Sequence, residues 1–282
     1  MLRITSTSNA RVKQVVRLLR EHRHRRATGL FIAEGWRQVS RAAQTLPLRQ
    51  LWSCPSLWSS RPDAAEIQAF LQDLPSAVER FEVPDAIMRK MAYLREPEGL
   101  LAVVEQPRWS LEQLPAVSDQ TLYLVAAGIE KPGNLGAMAR TAYAAGCQAL
   151  LTAGAPVDAF NPNAIRASTC AVFCLPVIAA PEHEVLDDLT ARGVRIVAAT
   201  PQAAVPYTDA GLTGPLALAV GAEDRGLSQP WLEAADRTGG QRVVIPMRPG
   251  VVDSLNASVA AAILLFESRR QRSVADGRQS PH

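Results

Sequence analysis

The sequence has no long apolar run of the kind that marks a membrane-spanning or secreted protein. No stretch approaches the roughly 20 apolar residues that a helix needs to cross a bilayer. The N-terminus opens with Arg3 and a segment rich in threonine and serine, without the apolar core of a secretory signal. We therefore expect a cytoplasmic protein that does not bind a membrane.

Cysteine and histidine are scarce, with four residues of each. Cys170 and Cys174 are spaced so that they could share one helical face, but no second pair of ligand residues accompanies them. No histidine is placed like a catalytic base. We expect no metal site, and we expect the cysteines to be buried, reduced thiols.

Two common phosphate-binding motifs are also absent. The sequence contains neither the dinucleotide fingerprint G-x-G-x-x-G nor the P-loop pattern G-x-x-x-x-G-K-[ST]. Their absence argues against a dehydrogenase and against a P-loop nucleotide hydrolase. An α/β enzyme that acts on a small molecule by another mechanism also fits poorly, because the few histidines are not placed to form a catalytic site with other residues.

The charge distribution is strongly asymmetric. Residues 1–50 hold eleven lysines and arginines against two acidic residues, so they carry +9, and the other 232 residues must carry −6 to give the chain its formal charge of +3. A basic end joined to a mildly acidic body favours a module that binds a polyanion such as nucleic acid.

Residues 1–105 are predicted to form a small α/β module, and their basic charge makes this module the candidate for binding nucleic acid. Val12, Val15, Val16 and Leu19 recur at helical spacing within 9–20, with Asn9 as the N-cap. The segment EHRHRRATG that follows is predicted to be a basic loop. The candidate RNA-binding residues are Arg11, Lys13, Arg23, Arg25, Arg26 and Arg37.

Residues 106–118 are polar and proline-containing and are predicted to be a linker. From 119 to 272, short apolar strands alternate with helical patterns, which predicts an α/β domain with a parallel sheet. We expect the tail at 273–282 to be disordered, because it has nothing to bury.

Three segments of the second domain combine glycine turns with polar side chains: 128–146, 216–228 and 243–260. Gly221 would let backbone approach a ligand closely. Ser254 and Asn256 would bring hydroxyl, amide and free backbone N–H groups to a helix start. Taken singly, each segment is explained by an ordinary turn or helix cap.

Taken together and in this order, the segments resemble the motif set of the SpoU/TrmH branch of the SPOUT methyltransferases. NLGAMARTA resembles the first motif, LAVGAEDRGLS the second, and IPM followed by SLNASVA the third. The N-terminal ITSTSNARVKQVVRLL and GLFIAEG are similar to the ribosomal-protein-like substrate-binding domain of that family. The resemblance covers nearly the whole chain.

The resemblance implies an RNA 2′-O-ribose methyltransferase that uses S-adenosylmethionine. It also implies a deep trefoil knot in the C-terminal domain, and a homodimer with the active site at the interface. The implied catalytic residues are Asn134, Arg140, Glu223, Ser254 and Asn256. The backbone around Thr200, Gly221, Ile245 and Leu255 would hold the cofactor.

The sequence departs from the family pattern at three places. The loop between Met247 and Ser254 is about one residue longer than is common, Asn163 replaces a usual lysine, and Thr169-Cys170 replaces a small residue and glycine. These changes bear on the cofactor loop, RNA contacts and helix packing.

A separate substrate-binding module favours 23S ribosomal RNA as the substrate. A tRNA 2′-O-methyltransferase and a catalytically silent RNA-binding assembly factor remain alternatives. The resemblance makes Arg140 a general base, but a guanidinium with a pKa above about 12 rarely gives up its proton. We expect Arg140 mainly to bind the target phosphate and polarise the 2′-oxygen.

Overall fold

The computed structural model describes residues 1–154, 157–248, 250–251 and 253–275. These residues form two compact units. The first contains Met1–Arg108 and Phe160–Cys174, and the second contains the remaining described residues. Within the described part of the chain, no helix is long and apolar enough to cross a membrane. Most of the predicted disordered tail, residues 276–282, lies outside the described residues.

The first unit is built on a mixed sheet of five described strands in the order β1-β4-β3-β5-β2. The strands are β1 Leu2–Arg3, β2 Leu30–Glu34, β3 Leu48–Ser53, β4 Glu79–Glu82 and β5 Leu100–Glu105. The first six helices are α1 Ala10–Arg20, α2 His22–Thr28, α3 Trp36–Thr45, α4 Pro55–Trp58, α5 Ala64–Asp73 and α6 Asp85–Met91. β1, β4 and β3 run parallel, whereas β5 is antiparallel to both of its neighbours.

Helix α1 confirms the helix predicted at 9–20. The Asn9 side chain accepts a hydrogen bond from Arg11 N at 2.9 Å and so caps the first turn. The helix buries Val12, Val15, Leu18 and Leu19. Full burial of one such side chain contributes roughly 1.5–3 kcal/mol, so this apolar face holds α1 against the sheet.

The basic segment after α1 is a helix, so the predicted loop is wrong. Gly29 ends α2 in the left-handed conformation at φ 65°. Arg25 is only 1% exposed, and its Nη1 donates to Leu18 O at 2.6 Å and to Leu19 O at 3.1 Å. The last carbonyls of α1 have no partner within the helix, and a cation is favoured there. Arg25 is therefore a buried structural residue and leaves the predicted RNA-binding set.

The second unit contains a fully parallel sheet of seven described strands in the order β10-β12-β9-β11-β6-β7-β8. The strands are β6 Leu122–Ala127, β7 Ala149–Ala153, β8 Val177–Ala180, β9 Arg195–Ala199, β10 Val205–Pro206, β11 Leu216–Gly221 and β12 Gln241–Val244. The remaining helices are α7 Pro132–Ala145, α8 Pro162–Ser168, α9 Glu182–Ala191, α10 Gln229–Arg237 and α11 Ala257–Ala275. Of these helices, α8 groups with the first unit.

The predicted parallel α/β sheet is confirmed, with differences at its C-terminal end. Helix α11 begins at Ala257, three residues after Ser254, which was predicted to stand at the helix start, because Asn256 acts as the cap and accepts from Ser258 N at 3.0 Å. Helix α10 was not predicted, although Ser228 precedes it and a proline stands in its first turn. Helix α11 extends through Ala275 and so includes the start of the tail that was predicted to be disordered.

The cysteine expectation holds for three of the four side chains. Cys54, Cys147 and Cys170 are buried, whereas Cys174 is exposed. Burial raises the pKa of the Cys147 thiol to about 12, which keeps it protonated. Thr169 and Cys170 both have positive φ, at 49° and 75°. This conformation suits glycine, which explains why the family pattern has a glycine there.

Candidate active site at the carboxyl edge of the parallel sheet

The candidate site lies where β9, β11 and β12 end, the edge at which open parallel sheets bind ligands. After β11 the chain turns sharply, and Gly226 N donates to Ala222 O at 2.8 Å. A Cβ atom at Gly221 would overlap the backbone of Gly226 and Leu227. Gly221 is therefore required by the turn itself, as well as by any close approach of a ligand.

Three of the predicted catalytic residues form one hydrogen-bonded cluster. Asn134 Nδ2 donates to Glu223 Oε1 at 2.8 Å. Asn256 Nδ2 donates to the same oxygen at 2.7 Å and to Asn134 Oδ1 at 3.1 Å. The cluster joins the first turn of α7, the turn after β11 and the cap of α11.

Glu223 carries a negative charge at the centre of this cluster. Its pKa is lowered, first by the hydrogen bond from Asn134, and further by the Ala257 N–H and by Lys131. Lys131 Nζ lies 3.5 Å from Glu223 Oε2. Because the carboxylate faces the N-terminus of α11, it also complements the positive end of that helix.

Arg140 and Ser254 stand apart from the cluster. Helix α7 begins at Pro132, so Asn134 lies in its first turn. Arg140 is six residues further on, which corresponds to roughly 9 Å along the axis and about 120° around it. Its exposed side chain forms no hydrogen bond or ion pair with the described residues. Ser254 is exposed at the rim of the neighbouring cavity.

That cavity has a volume of about 350 Å³ and contains all four predicted cofactor-binding residues in its wall. They are Thr200, Gly221, Ile245 and Leu255. Thr200 follows β9 and Ile245 follows β12, so adjacent strand ends bring the loops together. The size falls within the range of roughly 300–1,000 Å³ that is usual for small-molecule sites.

The chemistry of the wall fits S-adenosylmethionine. Val220, Leu232 and Met247 offer apolar surface of the kind that an adenine ring packs against. Glu223 and Asp253 add carboxylates to the same wall, where they would balance the positive sulfonium of the cofactor.

Two residues that contact the cluster were not singled out in the sequence. Lys131 pairs with Glu223, and Ser258 Oγ hydrogen-bonds to Asn256 Oδ1 at 2.6 Å. Lys131 lies within segment 128–146 and Ser258 within segment 243–260. The sequence could have indicated them only through their nearness to the predicted residues. The pairing of Lys131 depends on β11 lying beside β6, which periodicity does not reveal.

The remaining predicted RNA-binding residues lie on the first unit and are mostly exposed. Lys13, Arg23, Arg26 and Arg37 are exposed. Arg11 is half-buried, since its Nη1 lies 2.6 Å from Glu79 Oε1 and its guanidinium lies 4.8 Å from the ring centre of Phe81. Arg11 is thus partly engaged within the unit.

Known proteins resemble both parts of the chain. The model of the SpoU rRNA methylase family matches residues 121–266, and that of the MRM3-like substrate binding domain matches residues 9–102. The 23S rRNA (uridine(2479)-2′-O)-methyltransferase of Streptomyces viridochromogenes is 33% identical, over 96% of this chain and 92% of its own. The 23S rRNA (guanosine(2553)-2′-O)-methyltransferase RlmP of Bacillus subtilis is 28% identical, over 95% of this chain and 100% of its own.

Solved structures agree with these relatives. The crystal structure of an RNA 2′-O ribose methyltransferase is 43% identical with a TM-score of 0.80, covering 96% of this chain and 99% of its own. The SpoU methyltransferase AviRb from Streptomyces viridochromogenes, in complex with AdoMet, is 30% identical with a TM-score of 0.81, covering 94% of this chain and 100% of its own. The chain therefore belongs to the SpoU rRNA methylase family of S-adenosylmethionine-dependent RNA 2′-O-ribose methyltransferases.

Proposed function

We propose that this chain methylates a ribose 2′-hydroxyl of 23S ribosomal RNA in the cytoplasm. The observation that carries the proposal is the cavity of about 350 Å³ lined by Thr200, Gly221, Ile245 and Leu255, directly beside the Asn134–Glu223–Asn256 cluster. The choice of 23S rRNA is supported by the relatives from Streptomyces viridochromogenes and Bacillus subtilis, which are named for that substrate.

The protein must position and activate a poor nucleophile. S-adenosylmethionine supplies a methyl group that is made electrophilic by its sulfonium. The ribose hydroxyl has to be held in line with that methyl group, and its oxygen has to be stabilised as its proton passes to solvent. The oxygen–methyl bond would form as the sulfur–methyl bond breaks, and S-adenosylhomocysteine would leave as the second product. We assign this task to Arg140, which binds the target phosphate and polarises the 2′-oxygen while keeping its own charge.

The cluster of Asn134, Glu223 and Asn256 shapes the site around that step. A carboxylate that accepts hydrogen bonds from both amides keeps the start of α7 and the start of α11 together. Leu255 and Ser254 lie on the cavity wall immediately before Asn256. Fixing the Asn256 side chain therefore fixes the segment that would contact the cofactor.

We propose a homodimer with the site at its interface. Helices α7 and α11 pack against each other and leave large side chains exposed. Tyr143 lies one turn after Arg140 on α7, and Val259 and Phe266 share a face of α11. An apolar face beside an arginine that has no partner among the described residues is suited to a second copy of the chain, which would bring Arg140 to a complete site.

A trefoil knot belongs to the same proposal. Strand β11 is inserted between β6 and β9, although β7, β8, β9 and β10 lie between β6 and β11 in the sequence. The segment from Ile245 to Asn256 then leads from β12 into α11, which packs on α7 and β11. We propose that this segment passes through a loop of the chain and makes the cofactor wall as it does so.

The proposed function is tested by methyl transfer to separate RNA pools. Purified protein is incubated with methyl-labelled S-adenosylmethionine and with either ribosomal RNA or tRNA from a source that lacks the modification. We expect alkali-resistant label in the ribosomal pool only, because a 2′-O-methyl group blocks alkaline cleavage at its own nucleotide. Label in tRNA alone would replace the substrate, and cofactor binding without label in either pool would support a silent RNA-binding protein.

A further inference from the structure

A cavity of about 410 Å³ lies within the first compact unit and takes no part in the proposed methyl transfer. Its walls come from the second half of α1, the end of α6 with the residues that follow it, and the start of α8 with its N-cap residue Asn161. Val16 and Leu19 of α1 give it an apolar side. Its volume is in the usual range for a pocket that holds a small organic group, roughly 300–1,000 Å³.

Tyr93 lines this cavity with an exposed aromatic side chain, and hydrogen bonds hold both its backbone N–H and its phenol hydroxyl. It is 44% exposed, and its backbone N donates to Glu34 Oε2 at 2.8 Å. The neighbouring Leu94 N donates to Glu34 Oε1 at 3.1 Å. The phenol hydroxyl donates to Asn163 Oδ1 at 2.7 Å.

This anchoring depends on a carboxylate that is buried in the protein. Glu34 is 7% exposed and uses both oxygens on the backbone of the Tyr93 segment. Burying a carboxylate is unfavourable unless it is well hydrogen-bonded, so the arrangement serves to fix the segment. A rigid exposed ring is a ready stacking platform, since little conformational freedom is lost when a partner ring packs on it.

The rest of the cavity carries positive charge and amide groups. Arg20 is exposed and forms no ion pair among the described residues. Lys90 Nζ donates to Thr7 O at 3.2 Å and to no other acceptor in the described parts of the chain, which leaves two of its N–H donors for a ligand. None of the described residues that line the cavity is acidic. Asn163 adds an amide that can read the edge of a base.

We infer that this cavity binds one unpaired nucleotide of the RNA substrate, with the base stacked on Tyr93 and its phosphate between Arg20 and Lys90. The inference rests on the proposed function, because it takes RNA as the substrate. A ring platform with flanking cations and no anion suits a nucleotide. The base must be unpaired, because bases inside an A-form helix are closed to such a pocket.

The inference is tested by RNA binding to the full-length protein. The probes are a fluorescein-labelled 12-nucleotide RNA without self-complementarity and the blunt 12-base-pair duplex of the same sequence. Loss of one base–aromatic stack corresponds to roughly a 5- to 150-fold change in affinity. We expect Tyr93→Ala to weaken binding of the single strand by at least about 5-fold, with duplex binding unchanged. Tyr93→Phe should stay close to the original, because the ring is retained.

A matched pair of variants tests the phosphate contact. Lys90→Gln should weaken single-strand binding and reduce its salt dependence. Arg89→Gln, one residue earlier on α6, should not, because Arg89 is paired with Asp85 at 2.8 Å. Equal effects of both substitutions would show a general charge effect and would overturn the assignment of Lys90.

Different experimental outcomes would overturn the pocket inference and the proposed function. If the unchanged protein methylates RNA and Tyr93→Ala binds the single strand equally well, the pocket inference is overturned and the proposed function stands. If the unchanged protein binds cofactor but methylates no RNA, the proposed function itself fails. Photocrosslinking of the unchanged protein to 4-thiouridine-substituted RNA provides a readout without any variant. A crosslink at Tyr93 supports the pocket, and crosslinks confined to other segments overturn it.

Discussion

At the scale of single residues, Glu223 links the parts of the candidate site. It accepts hydrogen bonds from Asn134 and Asn256, lies near Lys131, and faces the start of α11. The lowered pKa of Glu223 means that its carboxylate remains ionised well below neutral pH. Its charge is thus a permanent part of the site under ordinary conditions.

Replacing Glu223 with glutamine tests this charge. Glu223→Gln keeps the shape but removes the negative charge. If its amide oxygen stays opposite Asn134 and Asn256, its amide nitrogen becomes a donor that faces the Lys131 ammonium group. Charge-assisted hydrogen bonds are roughly twice as strong as neutral ones, so we expect kcat/KM to fall by roughly 10-fold or more. Glu184→Gln, an exposed position on α9, is the control and should have kcat/KM close to that of the unchanged enzyme. Equal values for both variants would contradict the role of Glu223.

Arg140 is expected to act through geometry and charge together. Arg140→Lys keeps the charge but loses the planar pair of donors, so we expect kcat to fall by about 100-fold or more. Arg237→Lys, at an exposed arginine of α10, should leave kcat unchanged. An Arg140→Lys enzyme with near-full turnover would contradict both the electrostatic role and the general-base role.

Glu34 should make stability depend on pH in an unusual direction. Burial raises the pKa of Glu34, against the opposing effect of hydrogen bonds from the Tyr93 and Leu94 amides. Between the ordinary glutamate pKa and this raised value, the folded protein binds more protons than the unfolded chain. Its free energy of unfolding therefore rises as the pH falls through that window. The free energy of unfolding in urea is measured for the unchanged protein and for Glu34→Gln at pH 7.5 and at pH 5. The unchanged protein should gain stability relative to Glu34→Gln as the pH falls. A difference independent of pH would contradict the assignment.

Most residues of the candidate site can be predicted from the sequence, but the hydrogen bonds between them cannot. The polar residues at strand ends and helix starts are visible as a pattern, and the structure brings Asn134, Glu223 and Asn256 within hydrogen-bonding distance. Arg25 could not be recognised as buried from its neighbours, since a run of cations looks solvated. Its role depends on how α2 meets the last carbonyls of α1.

At the scale of elements, the turn after β11 controls the cavity. Because a Cβ at Gly221 would overlap the backbone of Gly226 and Leu227, Gly221→Ala must displace the turn. Overpacking of this kind costs typically about 1–3 kcal/mol of stability. We also expect weaker cofactor binding, because the same residues form the cavity wall.

Gly211→Ala provides the matched control for that substitution. A Cβ at Gly211 would meet no atom within 4 Å, and its φ is not in the left-handed region. Denaturant unfolding and calorimetric titration with S-adenosylmethionine should separate the two variants. Gly221→Ala that binds cofactor as well as Gly211→Ala does would contradict the role given to the turn.

The elements themselves are largely predictable where periodicity is strong. The strands of the second unit are short, almost wholly apolar runs, which is typical of a parallel sheet covered on both faces. Helix α2 was missed because its segment HRHRRAT has no apolar stripe, and it forms through burial of Arg25 and the left-handed cap at Gly29. The order of the strands depends on contacts between distant segments, which local patterns do not specify.

At the scale of the whole molecule, the proposed dimer predicts complementation between inactive subunits. If Arg140 of one subunit completes the cavity of the other, a mixture of Arg140→Ala and Gly221→Ala proteins will contain mixed dimers. Each such dimer has one site with both defects and one site with neither. We expect the refolded mixture to recover activity up to about a quarter of that of the unchanged enzyme, as random pairing would give. If the mixture stays as inactive as its components, each subunit carries a complete site of its own.

The location of the methyl group decides between the proposed reaction and its alternatives. Ribosomal RNA treated with the unchanged enzyme and S-adenosylmethionine is hydrolysed with alkali, and resistant positions are mapped along 23S rRNA. We predict one new resistant position, absent when Arg140→Ala replaces the unchanged enzyme. Methyl groups found on bases, or only in tRNA, would contradict the assignment of this chain as a 23S ribosomal RNA 2′-O-methyltransferase.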